Sequence, residues 1–279
     1  MEMSVRELKK KAVQMRIDVL DMIYKAQSGH PGGSLSAADF TTACYFRYMN
    51  IRPEDPHWAD RDRFILSKGH VCPIQYACLA ELGFFNKSVL DTLRREGSIL
   101  QGHPDMKKCP GIDISTGSLG QGLACAAGMA VAGKMDHKDY HVYAVLGDGE
   151  CNEGEIWEAA DTAYKYSLDN LIVFLDFNRL QMDGSCDEIM PPIDLAKKFE
   201  AFGWSVKEID GNNMDQVTAA IEFCLKEKNG KPKCIVGHTI KGKGVSFMEN
   251  VCDWHGKAPN DEQYAQAVSE LRRQEAALA

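Results

Sequence analysis

The chain lacks most of the features that assign a function at sight. None of its ten cysteines falls in a CxxC pair or in a Cys/His spacing suited to zinc. No apolar run reaches the roughly 18 residues that a membrane-spanning helix needs. No basic block rises above Lys9-Lys10-Lys11, and 40 acidic against 32 basic residues leave a net charge of −8. Neither nucleic acid nor an anionic membrane is therefore indicated as a partner. There is no internal repeat, no low-complexity tract and no convincing linker, so residues 1–279 read as one domain. The N-terminal segment is charged and amphipathic rather than a secretory leader. Scattered thiols such as Cys72, Cys78 and Cys125 fit a reducing compartment, and the predicted location is cytoplasmic.

Periodicity predicts α/β architecture. Val5, Leu8, Ala12, Met15, Val19 and Met22 recur at helical spacing, in a helix ending at Ser28-Gly29. His30-Pro31-Gly32-Gly33 is predicted as a loop, with Ser34 or Ser36 capping a second helix that runs to about Tyr48. Short apolar strands are expected at residues 63–66, 141–146, 171–176, 205–209 and 234–239. Helices are expected near residues 73–82, 120–133, 153–166, 195–202 and 214–227, and a charged one over 261–279 that packs on the surface or frays. Strands alternating with helices predict a mostly parallel central sheet with helices on both faces. Ligands of such sheets bind at the carboxyl edge.

Gly147-Asp148-Gly149 lies at that edge, straight after a strand. The glycines let the backbone bend and approach a ligand, and N–H groups opening the next helix can donate to an anion. One helix and one strand later comes Asp176-Phe177-Asn178-Arg179-Leu180. That connection returns the chain to a neighbouring strand end, so Asp148 and Asn178 can face one ion. Magnesium takes about six hard oxygen ligands, of which a diphosphate can supply two. Taken singly, each piece is also ordinary turn chemistry. Their order and spacing, with Glu153-Gly154 and Trp157-Glu158-Ala159 between them, are far more specific.

The segment GDGECNEGEIWEAADTAYKYSLDNLIVFLDFNRLQMDG resembles the thiamine-diphosphate signature of transketolases. The resemblance implies the thiamine-diphosphate-binding fold, with thiamine diphosphate as cofactor and Mg2+ as metal, for which Ca2+ or Mn2+ can substitute. It implies that Asp148 and Asn178 bind the metal by side chain and Leu180 by its carbonyl. Gly149 would donate its N–H to the diphosphate, and Asn178 would also contact the cofactor. The loop Thr116 to Gly122 matches too; by that similarity Gly117, Ser118 and Leu119 touch the cofactor rings.

Four of the eight histidines sit in loops beside glycine: Gly29-His30, Gly69-His70, Gly102-His103 and His255-Gly256. A single loop histidine is more often a surface or capping residue. Four such loops suit chemistry on a sugar carbonyl, where groups titrating near neutrality must donate, accept or shuttle protons. The resemblance covers all four. It assigns His30 and His103 to substrate hydroxyls and carbonyl, and His70 and His255 to the cofactor diphosphate or the reacting oxygens. His57, His137, His141 and His238 read as structural or surface residues. Glu153 is either a helix-start acid favoured by the macrodipole or, by the resemblance, a catalytic and cofactor-side carboxylate at a subunit interface.

The resemblance runs from about Val5 to Pro259, yet a full transketolase is more than twice as long. In the family a pyrimidine-binding domain supplies a glutamate that activates the cofactor. The chain is therefore expected to be the N-terminal subunit of a two-gene transketolase, active only with a C-terminal partner, as an α2β2 heterotetramer acting on sugars or sugar phosphates. The start at Met1 and the charged last helix favour a natural subunit over a truncated piece. Alternatives are another thiamine-diphosphate enzyme, of deoxyxylulose-phosphate synthase or 2-oxo-acid dehydrogenase type, or a non-catalytic diphosphate-binding subunit.

Overall fold

A computed structural model describes residues 3–278. Helix α1 (Val5–Ala26) opens with a Ser4/Glu7 capping box and ends where Gln27 turns left-handed at φ 49°, just before the expected stop. The expected second helix is instead three pieces: α2 (Pro31–Ser36), α3 (Ala38–Ala43) and a π-helical turn at Cys44–Tyr48. It starts four to six residues earlier than predicted, with His30 as the cap residue, because proline suits the first helical position, where its missing N–H is not needed. Neither Ser34 nor Ser36 is the cap. Their hydroxyls bond backwards, to the carbonyls of His30 (2.7 Å) and Gly33 (3.0 Å).

Strand β1 (Arg63–Leu66) leads to α4 (Cys72–Leu82), then a long irregular segment to α5 (Gln121–Met135). Next come β2 (Val142–Gly147), α6 (Gly154–Lys165) and β3 (Leu171–Phe177). A short α7 (Cys186–Ile189), not anticipated from sequence, precedes α8 (Leu195–Ala201), β4 (Ser205–Asp210), α9 (Met214–Lys226), β5 (Lys233–His238) and α10 (Asp261–Ala277). α10 docks on α1: Tyr264 stacks on Tyr24 with centroids 4.1 Å apart, and Leu271 is buried. Among the described residues no helix is long and apolar enough to cross a membrane.

The five strands form an all-parallel sheet in the order β1-β2-β3-β5-β4. Alternate residues of the central strands enter two separate cores, as a strand buried on both faces requires. Tyr143, Val145, Ile172, Phe174 and Ile235 join residues of α1, α3, α4 and α9. Ala144, Leu146, Val173, Leu175 and Val236 join residues of α5, α6 and α8. All five carboxyl ends point the same way.

Phe174 shows how tightly the first core is filled. It is fully buried, stacks on Phe40 at 4.4 Å, and would meet any side chain added at Gly237. Phe174→Ala should lower unfolding free energy by about 3–5 kcal/mol, the range for emptying a buried aromatic site. Denaturant unfolding checks this; a loss below about 1 kcal/mol would refute the packing described.

Candidate active site

The parallel register pairs Gly147 on β2 with Asp176 on β3. The two chains leave the sheet side by side, so Asp148 and the Asn178–Gln181 segment meet at one place. Asp148 is buried. Its Oδ1 accepts from Gly149 N–H at 2.8 Å and its Oδ2 from Arg179 N–H. Asn178 Oδ1 accepts from Leu180 N–H at 3.1 Å, and the Leu180 carbonyl accepts from Lys241 Nζ at 3.0 Å. Each of these oxygens keeps a lone pair for a further partner. Burial, and next the charge of Asp176, push the Asp148 carboxyl up to about 6. A nearby cation would relieve that penalty.

The residues fit a metal-bridged diphosphate by two observations. One carboxylate, one amide oxygen and one carbonyl converge, an oxygen set of the kind hard cations take. The buried Gln181 Nε2 has no hydrogen-bond partner, although Gln181 lies against Gly149, where an added Cβ would come within 3.1 Å of its amide carbon. An orphan donor in a buried place calls for an acceptor.

These groups form the floor of a cleft of about 350 Å3. His30, His70, His103 and His255 all line it, together with Gly117 and Leu119. The rings of His30, His70 and His255 stand 5.0–5.5 Å apart. His103 lies against Gly117, whose φ of 158° and missing Cβ let the ring approach. Two sequence candidates fall outside the cleft lining: Ser118 and Glu153 are both exposed. Glu153 is the N-cap residue of α6 and makes no side-chain capping bond.

Sequence reasoning missed four residues here. Lys68 is buried beside Asp176, which also accepts from Ser36 Oγ (2.5 Å) and Thr239 Oγ1. Lys241, also buried, donates to the Leu180 and Gln181 carbonyls and lies 3.0 Å from His255 Nδ1. Glu150 accepts from Ser67 Oγ and from the Gly120 and Gly147 N–H groups, and so ties three loops together. Gln181 is the fourth. Lysine after β1 and after β5, at the carboxyl edge, was the available signal.

Burial first, then neighbouring positive charge, lowers three of the imidazoles: His30 and His255 to about 4 and His70 to about 2. His103, more exposed, moves down as well. At neutral pH the cluster is uncharged. It offers N–H donors and lone pairs beside a buried polar floor, an arrangement suited to holding and polarising oxygens of a polyhydroxy carbonyl compound.

A parallel α/β sheet whose carboxyl edge carries a buried polar floor and a histidine-lined wall defines a ligand-binding α/β fold. Comparison with known proteins narrows this class. Residues 8–275 match the family described as "Transketolase, thiamine diphosphate binding domain". The chain is 47% identical over 268 residues to the 6-deoxy-6-sulfo-D-fructose transketolase subunit of Clostridium sp. (strain MSTE9), covering 96% of this chain and 97% of that one. It is 43% identical to an apulose-4-phosphate transketolase subunit of Phocaeicola vulgatus, covering 96% and 95%. Human transketolase is 38% identical, over 98% of this chain but 43% of its own. The crystal structure of Campylobacter jejuni transketolase superimposes with a TM-score of 0.90 at 29% identity, over all of this chain and 46% of that one. The chain thus spans under half the length of the solved transketolases. It belongs to the transketolase family and stands with the N-terminal, thiamine-diphosphate-binding subunits of split transketolases, transferases that work with a partner subunit.

The depressed imidazoles have a consequence for stability. Unfolded histidines titrate near 6.5, above the folded values of about 4 for His30 and His255. The unfolded chain therefore binds more protons between these limits. The contribution is complete above pH 6.5 and is lost as pH falls towards 4. In a pH series of denaturant midpoints, His30→Gln/His255→Gln should fall less steeply over that window than the unmodified chain. Parallel slopes would contradict the buried neutral cluster.

Proposed function

We propose that this chain is the diphosphate-holding half of a transketolase that moves a two-carbon ketol unit from a ketose donor to an aldose acceptor, with thiamine diphosphate and magnesium. The observation that carries the reading is the meeting of Asp148, Asn178 and the Leu180 carbonyl with four histidines in one cleft. Those three oxygens would hold magnesium, and the Gly149 N–H and Lys241, exchanging their present partners, would bind the diphosphate together with the unpartnered Gln181 amide. Thiamine diphosphate supplies a thiazolium that stabilises a carbanion.

This chain's own residues do the rest of the work on this half. His30 and His103 hold the donor's carbonyl and hydroxyl oxygens, while His70 and His255 contact the cofactor diphosphate or the reacting oxygens. Preorganised N–H donors favour charge developing on a substrate oxygen, most strongly once the cleft is closed to water. Gly117, Ser118 and Leu119 border the cofactor rings. Glu153, exposed beside the cleft, pairs across a subunit interface.

The partner subunit brings the pyrimidine-binding domain and its activating glutamate, and two copies of each chain complete two sites as α2β2. The substrates are anionic sugars. Support comes from the relatives, whose names specify a sulfonated ketose in one case and a ketose phosphate in the other. A deoxyxylulose-phosphate synthase or 2-oxo-acid dehydrogenase reading accounts less well for the four-histidine wall. A non-catalytic subunit has no need of it.

Co-purification from the native cell identifies the partner, and the reconstituted complex then receives a donor/acceptor panel. Asp148→Ala should abolish both metal-dependent thiamine diphosphate binding by calorimetry and ketol transfer. Full activity in that variant would sink the metal assignment. His103→Ala should raise the donor KM several-fold with the cofactor still bound; unchanged donor kinetics would remove His103 from the substrate wall.

A further inference from the structure

One cation beside the histidine wall belongs to no motif. Arg94 lies in the irregular segment between α4 and α5, with a left-handed backbone at φ 60°. Such a conformation disfavours residues with a side chain and persists where surroundings over-determine it. Here the Arg94 N–H donates to the Leu100 carbonyl at 2.8 Å. The guanidinium crosses Gly102, where an added Cβ would lie 2.9 Å from Arg94 Cζ. Nη1 donates to Ser28 Oγ at 3.2 Å and Nη2 to the Gly102 carbonyl at 3.5 Å. Nη2 also lies 3.3 Å from His30 Nδ1. Among the described residues no carboxylate forms an ion pair with Arg94.

A guanidinium has donors only, so the ring nitrogen facing it must accept. A neutral imidazole has one acceptor and one donor nitrogen, and the bond made by one fixes the role of the other. We infer that Arg94 is a positioning residue: by donating to His30 Nδ1 it fixes His30 as the Nε2–H tautomer, making this histidine a hydrogen-bond donor towards the cleft. The opposite ring edge, Cδ2–Nε2, faces Gly256 beside His255. The other groups that act on His30 are His103, His70, His255 and Lys241. None is a carboxylate, so none competes to pull the proton to Nδ1. In this arrangement His30 polarises a substrate oxygen and is not the group that removes a proton from it. The donor role rests on the proposed transketolase reading; the tautomer does not.

Two measurements separate these. Long-range proton–nitrogen correlation spectra of the full chain carrying 15N-histidine read each imidazole tautomer directly. His30 should show a bare Nδ1 and a protonated Nε2 at neutral pH. Arg94→Met should convert it to a mixture of tautomers and raise its titration midpoint, while Arg94→Lys should retain the original pattern. A protonated Nδ1 in the unmodified chain overturns the inference without any variant. So does a spectrum of His30 that Arg94→Met leaves unchanged.

In the reconstituted complex Arg94→Met should lower kcat by roughly ten- to a hundredfold, somewhat below the loss of a complete oxyanion donor. The cofactor's Kd should stay constant, the acid limb of the pH profile should move upwards, and Arg94→Lys should recover most of the loss. Equal activity of Arg94→Met and the unmodified complex overturns the donor role. If the unmodified complex transfers no ketol unit yet His30 shows the stated tautomer, the functional reading fails and the positioning role of Arg94 stands.

Discussion

The site depends on the register of two parallel strands. Gly147 pairs with Asp176, and both lie at the carboxyl ends of their strands. Shifting β3 by one residue would turn Asp176 towards the opposite face and carry Asn178 away from Asp148. The adjoining strands lock that register. β1 pairs with β2 on one side, and Lys68, two residues past its end, meets Asp176. β5 pairs with β3 on the other side, and Thr239, one residue past its end, donates to the same carboxylate. A buried ion pair adds little stability over a well-packed apolar one. Its position explains it better: three strand ends are tied at one atom cluster beneath the cleft.

Acidic and basic side chains meet in the cleft, where Asp148 and Glu150 stand beside Lys68 and Lys241. The protein is acidic overall, with a net charge of −8. At the cleft, Lys68 is matched by Asp176, but Lys241 and Arg94 have no carboxylate within ion-pair distance among the described residues. Lys241 is buried, and burial pulls its ammonium down to about 8. A buried, incompletely compensated cation facing carbonyls is costly in isolation. The cost makes sense where an anion is to be bound. The imidazoles between these cations stay neutral because burial and the neighbouring positive charge disfavour their protonated form.

Much of this was legible in the sequence, and the parts that were not share a cause. The five strands were readable because their apolar runs are short and bounded by turn residues, as at Leu171 to Asp176. Asp148, Asn178 and the four histidines were readable because glycine and strand ends flag them. Lys68, Lys241, Glu150 and Arg94 were not. A lysine reads the same in sequence whether it is solvated or buried, and its burial is decided by chain segments far away. Lys241 reaches His255 only because the loop after β5 folds back over the strand ends. The start of α2 was misplaced for a more local reason: two serines offered better caps than His30, and the fixed φ of Pro31 outweighed them.

The cleft is also unfinished on one side. Leu119 and Met182 line it and remain exposed, at 37% and 63% of their surface. Isolated apolar residues on a surface need no explanation, but two that line a polar cleft do. Water reaching the mouth would weaken every electrostatic interaction within, because the effective dielectric rises. The histidine donors and the buried oxygens of Asp148 and Asn178 gain strength when that side is covered. A second subunit, of the kind that the names of the split relatives imply, is suited to such a cover. The apolar rim and the polar floor are then two parts of one requirement, because polar groups gathered on the floor act most strongly behind a dry rim.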